Sequence, residues 1–118
     1  MFSYSEYRNI IKLVESYLPI TDFKAVLDYK PSVFCVLRHD IEFSVDRALK
    51  LARIESDELG VKSTYTVQLR NNTYNALSQK NIEAIQEIKK LGHSIGLHQN
   101  PPPMKDDELI DYILKDIE

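Results

Sequence analysis

Val33-Phe34-Cys35-Val36-Leu37-Arg38-His39-Asp40-Ile41-Glu42 decides how this chain is read. An apolar run ends abruptly in five residues, four of them ionisable. A short run rich in β-branched and aromatic residues is the pattern of a buried strand. An unpaired buried Asp or Glu is costly, since even neutral polar groups lose roughly 2–7 kcal/mol on burial without a partner. The charged ending therefore belongs at the mouth of a site. A second stretch, Leu91-Gly92-His93-Ser94-Ile95-Gly96-Leu97-His98, also ends a short apolar run with a group that can hold a metal.

Outward from these stretches the chain alternates. Ser5 is a candidate cap for a first helix whose stripe is Tyr7, Ile10, Ile11, Val14, Tyr17 and Leu18, and which must stop before Pro19. Between Ile20 and Lys30 the pattern is ambiguous. Phe23, Val26 and Leu27 suggest a short helix that Pro31 ends, so residues 1–30 read as a helical amino-terminal extension. Val33 to Leu37 is the first strand. Ser44 caps a second helix with the stripe Val45, Ala48, Leu49, Ala52 and Leu59, and Gly60 fits its left-handed end. Val61 to Leu69 is a second strand, with Tyr65, Val67 and Leu69 on one side. After a loop from Arg70 to Asn75, Ser78 caps a third helix carrying Ile82, Ile85, Ile88 and Leu91, which Gly92 ends. Ser94 to Leu97 is a third strand. Asn100-Pro101-Pro102-Pro103 is loop, and Asp106 to Glu118 is a last amphipathic helix.

Strands alternating with helices predict an α/β fold with a parallel sheet and right-handed crossovers, in which ligands bind beyond the carboxyl ends of the strands. The three expected strands end in Arg38-His39-Asp40-Ile41-Glu42, in Arg70-Asn71-Asn72 and in His98, so the three polar endings fall on one rim. Three parallel strands leave two open edges, and the last helix stops within an apolar face. Both features suggest an incomplete domain, or a second copy of the chain covering the sheet edge.

With 118 residues, 43% apolar and 28% charged, the chain is sized and composed as one ordinary globular domain. A net charge of −3 provides no basic stripe for nucleic acid. No apolar segment reaches the roughly 18 residues of a membrane span. The first residues lack the basic and apolar regions of a signal peptide, and Cys35, the only cysteine, cannot form an intrachain disulfide. These features point to the cytosol, without a nucleic-acid or membrane partner.

On a regular strand Asp40 and Glu42 point to the same side, a pair suited to one base and one metal ligand. With His98 they suit zinc or another first-row divalent ion, which lowers the pKa of bound water towards about 7 while a carboxylate takes the proton. Each polar residue also has a plainer reading. Arg38 pairs with a neighbouring acid and His39 is a satisfied, partly buried histidine. Arg70, Asn71 and Asn72 either line a ligand cleft or form a solvated turn, and Tyr74 either stacks on a ligand ring or packs its loop.

The run Leu37-Arg38-His39-Asp40-Ile41-Glu42, the helix of Ala48-Leu49-Lys50-Leu51-Ala52 ending in Leu59-Gly60-Val61-Lys62-Ser63-Thr64-Tyr65, and Leu91-Gly92-His93-Ser94-Ile95-Gly96-Leu97-His98 together resemble the polysaccharide deacetylase family. This is carbohydrate esterase family four, which shares the chitooligosaccharide deacetylase homology domain. The likeness is to a branch whose first motif reads His-Asp-Val-Asp. It implies a distorted (β/α) barrel, partial in this chain, and metal-dependent removal of N- or O-acetyl groups from carbohydrate. It implies Asp40 as general base, Glu42 at the position of the metal-binding aspartate, and His98 as the first metal histidine. His93 matches a Gly-His pair ahead of that motif and reads as structural, while Arg38 and His39 stand behind the site.

Three departures qualify that expectation. Glu42 is one methylene longer than the aspartate. Pro102 stands where the second metal histidine belongs. The later motifs, which supply an arginine, a leaving-group pocket and an acidic histidine, have no counterpart. The chain is accordingly expected to be an amino-terminal portion without full catalytic competence. The alternative is a sugar-binding or self-associating module derived from the same fold. An acidic phosphoacceptor domain of the flavodoxin-like class is a more distant reading, since it needs five strands and a lysine near its end.

Overall fold

A computed structural model describes residues 3–99 and 101–117. Asn100 and Glu118, assigned above to a loop and a helix end, lie outside them, as do Met1 and Phe2. The chain runs α1 (Tyr4–Glu15), β1 (Ile20–Thr21), α2 (Phe23–Tyr29), β2 (Cys35–Asp40), α3 (Val45–Arg53), β3 (Ser63–Val67), α4 (Gln79–Lys90), β4 (Ser94–Leu97) and α5 (Asp106–Ile117). The strands form one parallel sheet in the order β1-β2-β3-β4, curled into a half-barrel and alternating with helices.

The α/β expectation holds, but the sheet has four strands where three were expected. β1 is two residues long and pairs Ile20 with Cys35 and Thr21 with Val36. Two residues carry no readable alternation, so this strand exists only through its partner. β2 begins at Cys35, not Val33, which is 59% exposed. It extends to Asp40 because β3 pairs with it as far as Asp40–Thr66, and the Ile41 N–H then donates to the Thr66 carbonyl at 2.9 Å.

Local chemistry sets the helix starts. Ser3, not Ser5, caps α1: its hydroxyl accepts from the Glu6 N–H at 3.2 Å, and the Glu6 carboxylate accepts from the Ser3 N–H at 2.7 Å. That reciprocal pair satisfies two of the helix's free donors at once. Ser44 and Ser78 cap α3 and α4 as expected. The long second helix is not uniform. After Arg53 it widens into a π-helical segment, Ile54–Leu59, closed by Gly60 at φ 66°, a left-handed conformation that favours glycine.

The strand register sorts the side chains into two faces. Ile41, Tyr65 and Val67 pack with Val45 and Ala52 of α3 and Ala84 and Ile88 of α4 to form the buried core. His39 pairs in register with Tyr65 and shares that helix-covered face. Arg38, Asp40, Thr64, Thr66, Ser94 and Gly96 alternate onto the other face, which is polar.

Candidate functional site

Asp40 closes β2 at the carboxyl rim of the sheet. Its Oδ1 accepts from the Thr66 hydroxyl at 2.7 Å, and its Oδ2 accepts from the Arg38 guanidinium at 2.8 Å. The Arg38 hydrogen bond, then that of Thr66, then the charges of Arg38 and His98, outweigh partial desolvation and hold this carboxyl below the usual range. Asp40 is therefore ionised, but the guanidinium that stabilises its charge also weakens it as a base.

His98 lies at the end of β4, on the far side of β3. Its N–H donates to the Val67 carbonyl at 2.8 Å, extending the ladder, and its Nδ1 is 3.4 Å from the Gln68 amide nitrogen. Asp40 and His98 thus stand on the same carboxyl rim with β3 between them. Glu42 has an exposed side chain just past β2. Its carbonyl, not its carboxylate, is the group engaged by the rim, accepting from Asn71 Nδ2 at 3.1 Å and from the Thr73 hydroxyl.

Asn71 is occupied with the loop itself. Its Nδ2 also donates to Gln68 Oε1 at 2.6 Å, while its Oδ1 accepts from the Thr73 N–H at 2.6 Å. Arg70 is bound to Asp116 of α5 at 2.9 Å and lies 3.8 Å over the Tyr112 ring. Tyr74 takes its plainer reading. Its hydroxyl donates to the Ile41 carbonyl at 2.7 Å and accepts from the Gln68 N–H at 2.9 Å, tying two rim loops together. Between these loops lies a polar groove of about 330 Å³ lined by Glu42, Gln68, Arg70 and Asn71.

Zinc sites are built from three or four donors converging on one point. Among the described residues no three His, Cys, Asp or Glu side chains are grouped in that way. Each oxygen of Asp40 accepts one hydrogen bond, and Pro102 has no side-chain donor to offer.

His93 and His39 sit beneath the rim, in different settings. His93 is buried with both nitrogens used: Nδ1 accepts from the Ser63 N–H at 3.0 Å, and Nε2 donates to the Ala52 carbonyl at 2.9 Å. His39 belongs to a network that the sequence reading did not foresee. At its centre is Glu55, a fully buried carboxylate in the π-helical segment. Its Oε2 accepts from the Tyr7 hydroxyl at 2.6 Å, the Ser63 hydroxyl at 2.6 Å and His39 Nε2 at 3.0 Å, and its Oε1 accepts from the Tyr65 hydroxyl. Burial pushes this carboxyl up, but the hydrogen bond and charge of His39 and the hydroxyls of Ser63 and Tyr65 more than offset it, bringing it down to about 2. The same burial, reinforced by Glu55, raises the phenols of Tyr7 and Tyr65, so both remain donors.

A signal for Glu55 was present. The stripe Val45, Ala48, Ala52, Leu59 runs at helical spacing, and position 55 is its missing member. A charged residue on a core stripe requires buried partners. These come from α1, β2 and β3, too far away in sequence for local spacing to name them.

No protein-family model, no curated protein and no solved structure matches the chain.

Proposed function

We propose that this chain is a carbohydrate-directed domain of the hydrolase type, similar to polysaccharide deacetylases. It binds sugar at the strand rim and does not by itself turn the sugar over. The observation that carries this reading is that Asp40 and His98 both stand at the carboxyl ends of strands in one parallel sheet, β2 and β4 on either side of β3, the part of such a sheet where ligands bind. The polar groove beside them offers carboxylate, amide and guanidinium groups to sugar hydroxyls. Asp40 is the group assigned to proton abstraction, and Arg38 must release it before it can act. Pro102, standing where the resemblance expects a second metal histidine, is the reason to expect binding without turnover.

The test pairs two measurements on the purified chain. Titration with acetylated chito-oligosaccharide, followed by amide chemical shifts, is expected to perturb Asp40, Asn71 and Gln68 in a saturable way. Acetate release with added zinc is expected to stay at the buffer rate. Absence of saturable shifts would remove the sugar reading, and zinc-dependent acetate release abolished in His98→Ala would overturn the lack of competence.

A further inference from the structure

His39 and Glu55 have chemistry that the rim does not use. The carboxylate of Glu55 is fully buried and can only accept, so the hydrogen bond at 3.0 Å places the imidazole proton on Nε2. When the ring carries that one proton, its lone pair is on Nδ1. Among the described residues Nδ1 makes no hydrogen bond. Rotation of the ring is restrained by Tyr65, at 4.9 Å between centroids, and by Tyr7, at 6.1 Å. His93 supplies an internal contrast. It is 3% exposed and saturates both nitrogens, as a purely structural histidine should. The side chain of His39 is 23% exposed and leaves one nitrogen open.

That exposure faces a cleft of about 470 Å³ along β2, beyond the last pairing of β2 with β1 at Val36. Tyr4 of α1 and Arg47 and Leu51 of α3 line it, with Phe43 at its mouth and Tyr65 and His39 in its wall. The Arg47 guanidinium has no hydrogen bond or ion pair among the described residues, so its donors are available to a carbonyl oxygen. Tyr4, Phe43 and Leu51 offer apolar surface to a short acyl chain.

We propose that His39 is a proton-transfer residue of this cleft, that Glu55 is the positioning carboxylate that fixes its tautomer, and that the ligand is a small acyl ester. In the step, Nδ1 takes a proton from water as the water oxygen bonds to the ester carbonyl carbon and the carbonyl π pair moves onto its oxygen beside Arg47. The tetrahedral intermediate collapses, the carbon–oxygen bond to the alcohol breaks, and the alkoxide takes the proton back from Nδ1. Acid and alcohol leave, His39 is neutral again, and Glu55 stays ionised throughout, stabilising the transient imidazolium. The ionisable groups around His39 are Tyr7 from α1, Glu55 from the π-helical segment and Tyr65 from β3, with Cys35 facing Tyr7. Among the described residues Tyr4, Arg38, Asp40, Glu42 and Arg47 are those along the cleft. The cleft shares Asp40 and Glu42 with the rim, but the assignment rests on the His39 side chain, which lies on the helix-covered face, and is read by ester hydrolysis, separately from sugar-induced shifts at the rim.

The experiment uses the full chain in excess chelator with 4-nitrophenyl acetate as probe. Wild type is expected to show saturable hydrolysis faster than the same concentration of free imidazole. His39→Gln should lose about a hundredfold of kcat/KM, the low end of what general acid–base catalysis contributes. Glu55→Gln should lower the rate and leave His39 a mixture of Nδ1–H and Nε2–H tautomers in long-range ¹⁵N–¹H correlation, a change that loss of packing alone would not produce. Long-range ¹⁵N–¹H correlation on wild type should show His39 protonated at Nε2 and bare at Nδ1. If the variants fail to fold, the two wild-type measurements still decide. A rate equal to that of imidazole, or a proton on Nδ1, overturns the proposal whatever the outcome at the sugar rim.

Discussion

The two carboxylates that anchor this molecule are built alike and sit in opposite surroundings. Asp40 accepts from a threonine hydroxyl and an arginine at the exposed rim, and Glu55 accepts from three hydroxyls and an imidazole with no solvent contact. At the rim, water can replace any lost partner, so the cluster is adjustable and suits a binding surface. In the core nothing can replace a partner, and the network holds α1, the π-helical segment, β2 and β3 in one arrangement. Similar bonding is therefore a tuning device in one place and a structural commitment in the other.

The sharpest way to break the contrast is Glu55→Ala, which removes the acceptor shared by three hydroxyls and an imidazole. A loss of about 3–5 kcal/mol is expected in urea unfolding, the range for removing one member of a buried charged pair. Tyr7→Phe deletes a single donor to the same carboxylate and should cost about 1.5–3 kcal/mol by the same measurement.

Acid probes the network without mutation. The folded Glu55 carboxyl lies at about 2, below its ordinary value of 4.5. Its contribution to stability is therefore complete above the ordinary value, declines as pH falls from there towards 2, and is gone below both values. Urea midpoints measured from pH 6 to pH 2 should fall across that window, and the fall should be reduced in a Glu55→Gln variant that folds.

The smallest stability effect belongs to the rim. Arg38→Ala should leave the urea midpoint nearly unchanged, because the pair is exposed and water takes over its hydrogen bonds. It should nevertheless raise the titration point of Asp40, read from its side-chain carboxyl carbon shift. An Asp40 titration indifferent to Arg38 would mean that the ion pair does not govern the strength of the candidate base.

Much of the fold was legible because its signals are local. Ser44, Ser78, Gly60 and Gly92 mark helix ends through their own backbone and side-chain chemistry, and the stripes of α3, α4 and α5 repeat at helical spacing. β1 was not legible, since a strand of two residues is defined by hydrogen bonds to Cys35 and Val36 and not by any pattern of its own. At the site, the rim positions of Asp40 and His98 and the pairing of Arg38 followed from strand endings and from adjacency. The use of Asn71 and Arg70 within the structure did not, because their partners are Glu42, Gln68, Asp116 and Tyr112, supplied by separate segments.

The opening stretch draws the same boundary. By itself, Val33 to Glu42 determined that a strand would end in charge at the rim of a parallel sheet, because apolar periodicity and the cost of burying charge act residue by residue. Only the tertiary structure decided that adjacent residues would part company, Asp40 to the polar rim and His39 to a buried glutamate. A strand sends neighbouring side chains to opposite faces, and what waits on each face is set by residues far away in the chain.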